Sequence, residues 1–401
     1  MKKLYLAAFL LFSVLTLILA SPLPAHSQLT WPPACVQDSL PSGDPKNPQD
    51  HQLIVICIPP NWNGRLIMYA RGYRLPQLPL ELPIDELTLE NTFVPAPLLF
   101  GGFAFATTSF RKNGVAIEQG AEDLNQLLEH FKSVAPQPPE KVYITGASEG
   151  GLIAVLLLER YSRNYDAGLA LCAPLAGSPD LIKHIYDFRV VFDYFFPNVF
   201  PFGAVDVPND AFLLWQTPDP NDNDYVKLIT EALTNAPPIT TDQLFSVTKA
   251  PVDPADPTST ITTALSLLSY NIFGLEDLIA TAKGIPVDNR HTRYTGSLDD
   301  PALNAGVERI KGNGQARAYA RRFYTPTGNL RRPLVTLHNS LDPVVPFTHE
   351  EIYEDLVAQK QKSAFLTVME VDGYGHCDFT AQEVLQAFTG MVQQAEAQLV
   401  N

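Results

Sequence analysis

Residues 142–151 read V-Y-I-T-G-A-S-E-G-G. A β-type run, Lys141 to Thr145, leads into Gly146-Ala147-Ser148-Glu149-Gly150, and a helical run, Leu152 to Tyr161, follows at once. This is G-x-S-x-G between a strand and a helix, and each residue type has a physical reason. A nucleophilic serine must stand on a sharp, strained turn with its Oγ facing a cleft. Its neighbours must be small, so that strand and helix can pass closely, and Gly146, Gly150 and Gly151 supply that space. The backbone N–H of Glu149, in the first helical turn, would point at an oxyanion forming on an attacked carbonyl. The bare pattern is common, and the flanking strand and helix make it specific. The plain alternative is a glycine-rich turn with no chemistry.

A serine of this kind needs a base and an acid, each on a loop after a later strand, in the order serine, acid, histidine. Two places fit. The strand-like run Arg332 to His338 ends in Asn339-Ser340-Leu341-Asp342-Pro343, which puts Asp342 just past the strand. The run Ala364 to Val371 ends in Asp372-Gly373-Tyr374-Gly375-His376-Cys377, which puts His376 in the following loop. In this arrangement His376 takes the Ser148 proton and returns it to a leaving group, while Asp342 fixes the imidazole tautomer and stabilises the imidazolium. Each has a bland alternative. Asp342 before Pro343 also reads as a turn residue, and His376 as a structural loop histidine. His338, inside its strand, reads as a core residue or one that supports the site from behind, with a catalytic role as the lesser alternative. His349, beside Glu350 and Glu351 at the start of a helix, reads as a surface residue. Asp372 is too near His376 in sequence to be the usual acid.

These motifs resemble those of α/β-hydrolases, and in particular exported bacterial serine esterases. The resemblance spans most of the chain outside its middle, and it implies a mostly parallel central sheet with helices on both faces and a large helical cap. It also implies a second oxyanion donor on the loop after an early strand, here Arg65 to Ala70. There Arg71-Gly72-Tyr73 stands where the family usually has His-Gly, so the donor carried over is the backbone of Tyr73, with Gly72 as the other choice. Arginine at 71 departs from the pattern and leaves open how the loop is held. A second early strand, Phe103 to Thr108, precedes a helix from about Glu118 to Lys132 with Leu124, Leu127, Leu128 and Phe131 on one face.

The N-terminus reads as an export signal. Met1-Lys2-Lys3 is a positive start, Leu4 to Ala20 is apolar, and Ala25-His26-Ser27 is a small-x-small cleavage site. An uncleaved anchor is the alternative. Residues 1–27 are therefore read as signal peptide and the protein as periplasmic or secreted. About 370 residues remain, enough for a hydrolase core with a cap. Export permits disulfides, and four cysteines allow three pairings. Cys35–Cys57 would tie the N-terminal arm to the first strand. Cys172–Cys377 would join the strand after the nucleophile helix to the histidine loop. The latter partly resembles tannases and fungal feruloyl esterases, whose corresponding cysteine directly precedes the serine, where this chain has Ala147. The alternative is four free thiols.

The core is read as 28–176 and 330–401, with the cap at 177–329. In the cap, helical runs (Asp180 to Phe195, Thr258 to Lys283) alternate with proline-rich joints such as Ala250 to Pro257, and aromatics cluster from Tyr186 to Phe202. Those aromatics either pack the cap or line a pocket. Asp219 to Asp224 imitates a calcium loop but has Asp224 where glycine is needed and Thr230 where the bidentate glutamate belongs; it reads as an acidic turn capping the next helix. No metal or cofactor is expected. The net charge of −15 and pI near 4.9, without a Lys/Arg cluster, exclude a nucleic-acid binder. The expected partner is a small or polymeric ester. A serine peptidase of the prolyl-peptidase type would share the fold and triad, as would lyases and cofactor-free haloperoxidases, and a binding protein with a dead site is a further class. Oligomeric state is not legible.

Overall fold

The computed structural model describes residues 31–41, 50–90, 92–208, 211–216 and 224–397. The expected signal peptide and residues 219–223 of the acidic turn lie outside them. The chain runs through β1 (Cys35–Pro41), β2 (His51–Cys57), β3 (Arg65–Ala70), a short β4–β5 pair (Thr88–Leu89, Thr92–Phe93), α1 (Pro95–Phe100), β6 (Ala104–Thr108), α2 (Ile117–Val134), β7 (Lys141–Ala147), α3 (Glu149–Arg160) and β8 (Ala167–Leu171). After a long helical insertion it returns as β9 (Leu334–Leu341), α12 (Thr348–Gln359), β10 (Leu366–Tyr374) and α13 (Ala381–Ala397). The insertion holds α4 (Ser178–Phe195), α5 (Ala211–Gln216), α6 (Tyr225–Asn235), α7 (Pro238–Thr248), α8 (Ser259–Tyr270), α9 (Glu276–Ala282), α10 (Asp300–Gly306) and α11 (Gly314–Phe323).

Eight strands form one sheet in the order β1-β2-β6-β3-β7-β8-β9-β10. The β1–β2 and β2–β6 pairs are antiparallel and all the others parallel. This is the α/β-hydrolase fold. The strands are apolar on both faces because both faces are covered. Ile54, Ile56, Leu66 and Met68 join Leu124, Leu127, Leu128 and Phe131 of α2 in one core. Their alternates Val55, Ile67, Tyr69 and Phe105 join Ala387, Met391 and Ala395 of α13 in the other. Helix α3 has no solvent face over Leu152–Leu158. Cys35 and Cys57 are cross-strand partners in β1 and β2, and they are bonded.

The crossing of β7, α3 and β3 is the tightest point. A Cβ at Gly150 would stand 2.0 Å from the Ala70 carbonyl oxygen, and one at Gly146 would stand 2.3 Å from the Gly150 carbonyl oxygen. No side chain fits either place, so the glycines permit the strand-to-helix turn that ends in Ser148.

In the insertion, α4 packs against α7, α8, α10 and α11. Its aromatics pack among themselves: Phe188 stacks on Phe192 (6.4 Å between centroids) and Phe192 on Phe196 (4.9 Å). Buried Arg189 lies 4.0 Å over the Phe200 ring and pairs with Asp193 at 2.8 Å. The helix expected over Thr258–Lys283 is not continuous: a π turn, Asn271–Leu275, separates α8 from α9. Its buried Asn271 accepts from Arg189 (3.0 Å) and donates to the Ala204 carbonyl (3.1 Å). Residue 271 is thus held from two sides at a register that a regular helix would not give it. Asp224 caps α6 by accepting from the Val226 N–H (2.9 Å), as the acidic-turn reading requires. Among the described residues no helix is long and apolar enough to cross a membrane.

Gly150→Ala is expected to destabilise the protein by roughly 3 kcal/mol or more through overpacking. Gly390→Ala, in α13 with open space around its Cβ position, is expected to stabilise by about 0.5–1 kcal/mol. Urea unfolding midpoints of the two variants check both.

Candidate active site

Ser148 sits between β7 and α3 with φ 53° and ψ −121°, a left-handed backbone that a non-glycine residue holds only under constraint. The constraint is visible: its N–H donates to the Leu171 carbonyl (2.8 Å), and the glycine crossing fixes the chain on either side. The turn lifts Oγ to 2.9 Å from Nε2 of His376. On the other side of the ring, Nδ1 lies 2.7 Å from Oδ2 of Asp342. A carboxylate only accepts, so Nδ1 carries the proton and Nε2 offers its lone pair to the serine hydroxyl. Asp342 is fully buried, and its Oδ1 accepts from the N–H groups of Val344 (2.8 Å) and Val345 (2.9 Å). Burial alone would raise its pKa, yet the hydrogen-bonded His376 and the nearby His338 bring it down to about 2. The three residues picked from three separate stretches of sequence form one hydrogen-bonded chain.

The histidine loop is covalently held. Cys377, next to His376, is bonded to Cys172 at the end of β8, with their Cα atoms 5.3 Å apart. The Ser148 amide is hydrogen-bonded to Leu171, so both halves of the site are anchored to the same strand end. Asp372 accepts only a long contact from Ser340 Oγ (3.3 Å) and stands apart from the triad.

The loop after β3 lies beside the serine: a Cβ at Gly72 would be 3.7 Å from Ser148 Cβ. Arg71, the residue that departs from the family pattern, is what holds it. Its guanidinium is completely buried and donates to the carbonyls of Ser109 (2.6 Å), Gly72 (2.7 Å) and Lys112 (2.7 Å), with Asn113 Oδ1 at 3.3 Å. The Phe110 ring lies under it at 4.5 Å. The planar fork thus staples the loop to the chain beyond β6. Glu86 holds the loop from the other side, accepting from the Gly72 N–H (2.7 Å) and the Tyr69 hydroxyl (3.0 Å). With the Gly72 amide taken, Tyr73 rather than Gly72 is the donor candidate of this loop. The Tyr73 ring packs on Tyr270 of α8 (5.6 Å), so the insertion closes over this side.

Glu149 offers its amide at the first position of α3, as expected. Its carboxylate turns away from the cleft: it is buried and accepts from the Ala116 N–H (2.9 Å). Burial pushes it up to about 7 against the pull of Arg71 and that hydrogen bond. His338 is a core residue, as read. His349 corrects its reading: it is buried, not on the surface, because its Nδ1 accepts from the Ala176 N–H (3.2 Å) and ties α12 to the chain leaving β8. Sequence reasoning missed Glu86, which lies in an irregular stretch without periodicity, and the partnership of His338 with Glu350, which no local pattern announces.

A family profile described as serine aminopeptidase, S33, matches residues 112–241, about a third of the chain. No curated protein matches the sequence. Among solved structures, feruloyl esterase B from Aspergillus oryzae is similar at 13% identity, covering 86% of this chain and 74% of that one, with a TM-score of 0.44. An α/β-hydrolase from Penicillium sp. sh18 is similar at 11% identity, covering 92% and 99%, with a TM-score of 0.43. Pyrococcus horikoshii acylaminoacyl peptidase is similar at 12% identity with a TM-score of 0.37; 81% of this chain is covered, and it spans 35% of that protein. The sheet order and the strand–turn–helix at Ser148 define the class on their own: this is an α/β-hydrolase-fold protein.

The state of Glu149 sets a pH dependence. Its folded pKa of about 7 lies above the ordinary carboxylate value, so the native state holds a proton that the unfolded chain has released. Stability therefore falls as pH rises from about 4.5 to 7. Glu149→Gln keeps the acceptor for Ala116 but never ionises. It is expected to match wild type at pH 4 and to exceed it by up to about 3 kcal/mol at pH 8, read from chemical denaturation at both pH values.

Proposed function

We propose that the protein is an exported serine hydrolase that cleaves carboxylic esters through an acyl-enzyme. The observation that carries this reading is the hydrogen-bonded chain Ser148–His376–Asp342 on a strained strand-to-helix turn. Ser148 attacks the ester carbonyl as His376 Nε2 takes its proton. The amides of Glu149 and Tyr73 receive the oxyanion. The imidazolium, steadied by Asp342, protonates the departing alcohol, and a water activated by the same ring releases the acyl group. The helical insertion at 177–329 serves as the cap, with Tyr270 and Tyr73 closing one side and excluding water. Two disulfides among the described residues support export, since such bonds persist in oxidising compartments.

The peptidase reading retains the likeness of residues 112–241 to a serine aminopeptidase. It loses one support. An aminopeptidase must receive a substrate ammonium, and the carboxylate nearest the nucleophile in sequence, Glu149, is turned inward onto Ala116 and Arg71. The ester reading needs no such anchor.

A fluorophosphonate is expected to label Ser148 of the folded, oxidised protein, with the adduct located by peptide mass and absent in Ser148→Ala. His376→Ala should lower kcat/KM on a simple ester by at least about 10³-fold. Hydrolysis of aminoacyl amides but not of esters would replace the esterase with the peptidase. Absence of labelling would leave a binding protein on a hydrolase fold.

A further inference from the structure

Behind the triad acid lies a second histidine whose surroundings fix its charge. His338 is on β9, four residues before Asp342, and its side chain is fully buried. Its Nδ1 is 3.0 Å from Glu350 Oε1, and its Nε2 is 2.8 Å from the Val345 carbonyl oxygen. Asp342 Oδ2 stands 3.4 Å from the same Nε2; the shorter contact makes Val345 the hydrogen-bond partner and Asp342 a charge neighbour. A carbonyl has no proton to give, so Nε2 is a donor. At Nδ1 the proton is shared between imidazole and Glu350, both cut off from water. Placed on the imidazole, it puts a cation between two carboxylates. Placed on Glu350, it leaves Asp342 without that neighbour. Glu350 is itself held in place, with its Oε2 accepting from Thr336 Oγ1 (2.8 Å).

The other titratable groups around Asp342 do not compete for this role. On α12, His349 accepts from the Ala176 amide and is held neutral by burial, down to about 3. On α4, His184 has an unpartnered Nε2 and is likewise held down to about 4. Tyr270 of α8 and Tyr374 of β10 face Asp342 with phenols pushed above their usual range by burial. His376 is the working base. Only His338 meets acceptors at both ring nitrogens, and although burial opposes it, Asp342 and Glu350 raise it to about 10.

We propose that His338 is a standing imidazolium, neutralised from behind by Glu350, that keeps Asp342 ionised and partly offsets the negative charge Asp342 presents to His376. It is a positioning residue acting through Asp342, and the inference rests on the catalytic reading of the triad. Glu350, His338 and Asp342 together carry one negative charge at rest. When His376 takes the Ser148 proton, the buried cluster becomes neutral. Without the His338 charge, the Asp342 carboxylate would face His376 with no cation behind it.

The test begins with ring-nitrogen NMR on ¹⁵N-histidine-labelled, oxidised protein from pH 5 to 9, with His338 assigned by its loss in His338→Gln. Both His338 nitrogens should be protonated across the range. A single protonated nitrogen overturns the proposal, and this readout needs no catalysis. The second arm follows the pH dependence of fluorophosphonate labelling at Ser148, which needs no substrate. In His338→Gln the acid limb should move to higher pH by roughly one unit; a purely structural residue would slow labelling without moving the limb. An unmoved limb in folded variant overturns the positioning role. Should His338→Gln fail to fold, Glu350→Gln, which keeps an acceptor at Nδ1, should make the His338 ring titrate within the range, and a ring unchanged from wild type overturns its dependence on Glu350. Absence of labelling in wild type beside a doubly protonated His338 would sink the hydrolase reading and the positioning role that rests on it, not the charge assignment.

Discussion

A backbone crossing too close for any side chain governs the rest. The Ala70 carbonyl lies where a side chain at Gly150 would begin, and the Gly150 carbonyl lies where one at Gly146 would begin. This contact brings the end of β3 against the start of α3, and it places the Gly72–Tyr73 loop beside Ser148 in the same step. The strained backbone of Ser148 persists because strand, helix and loop each hold it from a different side. A larger residue at the crossing would move Ser148, the helix amide and the β3 loop together.

Around that contact the chain uses charged side chains as fasteners rather than as surface. Arg71 spends its guanidinium on three carbonyls. Glu86 spends its carboxylate on a loop amide, and Glu149 spends its own on the amide that opens α2. Buried backbone groups in irregular segments have no ladder to satisfy them, and side chains with several donors or acceptors do that work. The cost appears in Glu149, whose carboxyl titrates near neutrality because it is buried.

Much of this was legible in the sequence. The strand-to-helix turn at Ser148 and the strands bearing the Asp342 and His376 loops follow from local pattern and chain order, because strand period, turn residues and the Ser–Asp–His order are one-dimensional signals; the cysteine pairing was one of three the sequence allowed. The π turn at Asn271 was not, since its cause is Arg189, some eighty positions earlier in a different helix. His349 was misread for a related reason: two neighbouring glutamates suggest a solvated helix start, and nothing local reveals that Glu350 turns inward to His338. Arg71 was visible as a departure from pattern but not as a clamp, because two of its three carbonyl partners, Ser109 and Lys112, belong to a loop some forty residues on. What escaped the sequence is long-range polar pairing, which leaves no periodic trace.

The bond between Cys172 and Cys377 has a topological result. The chain leaves the core just after Cys172, builds the whole helical insertion and β9, and comes back to Cys377, so residues 172–377 form a covalent ring closed beside His376. The exposed proline-rich joint at Pro254–Pro257 lies within that ring. A protease that cuts there yields two fragments, one bearing Ser148 and the other bearing Asp342 and His376, that stay joined through the disulfide. Nicking in an oxidising environment would therefore open the insertion without separating Ser148 from His376, whereas the same cut followed by reduction would remove the covalent tether between them.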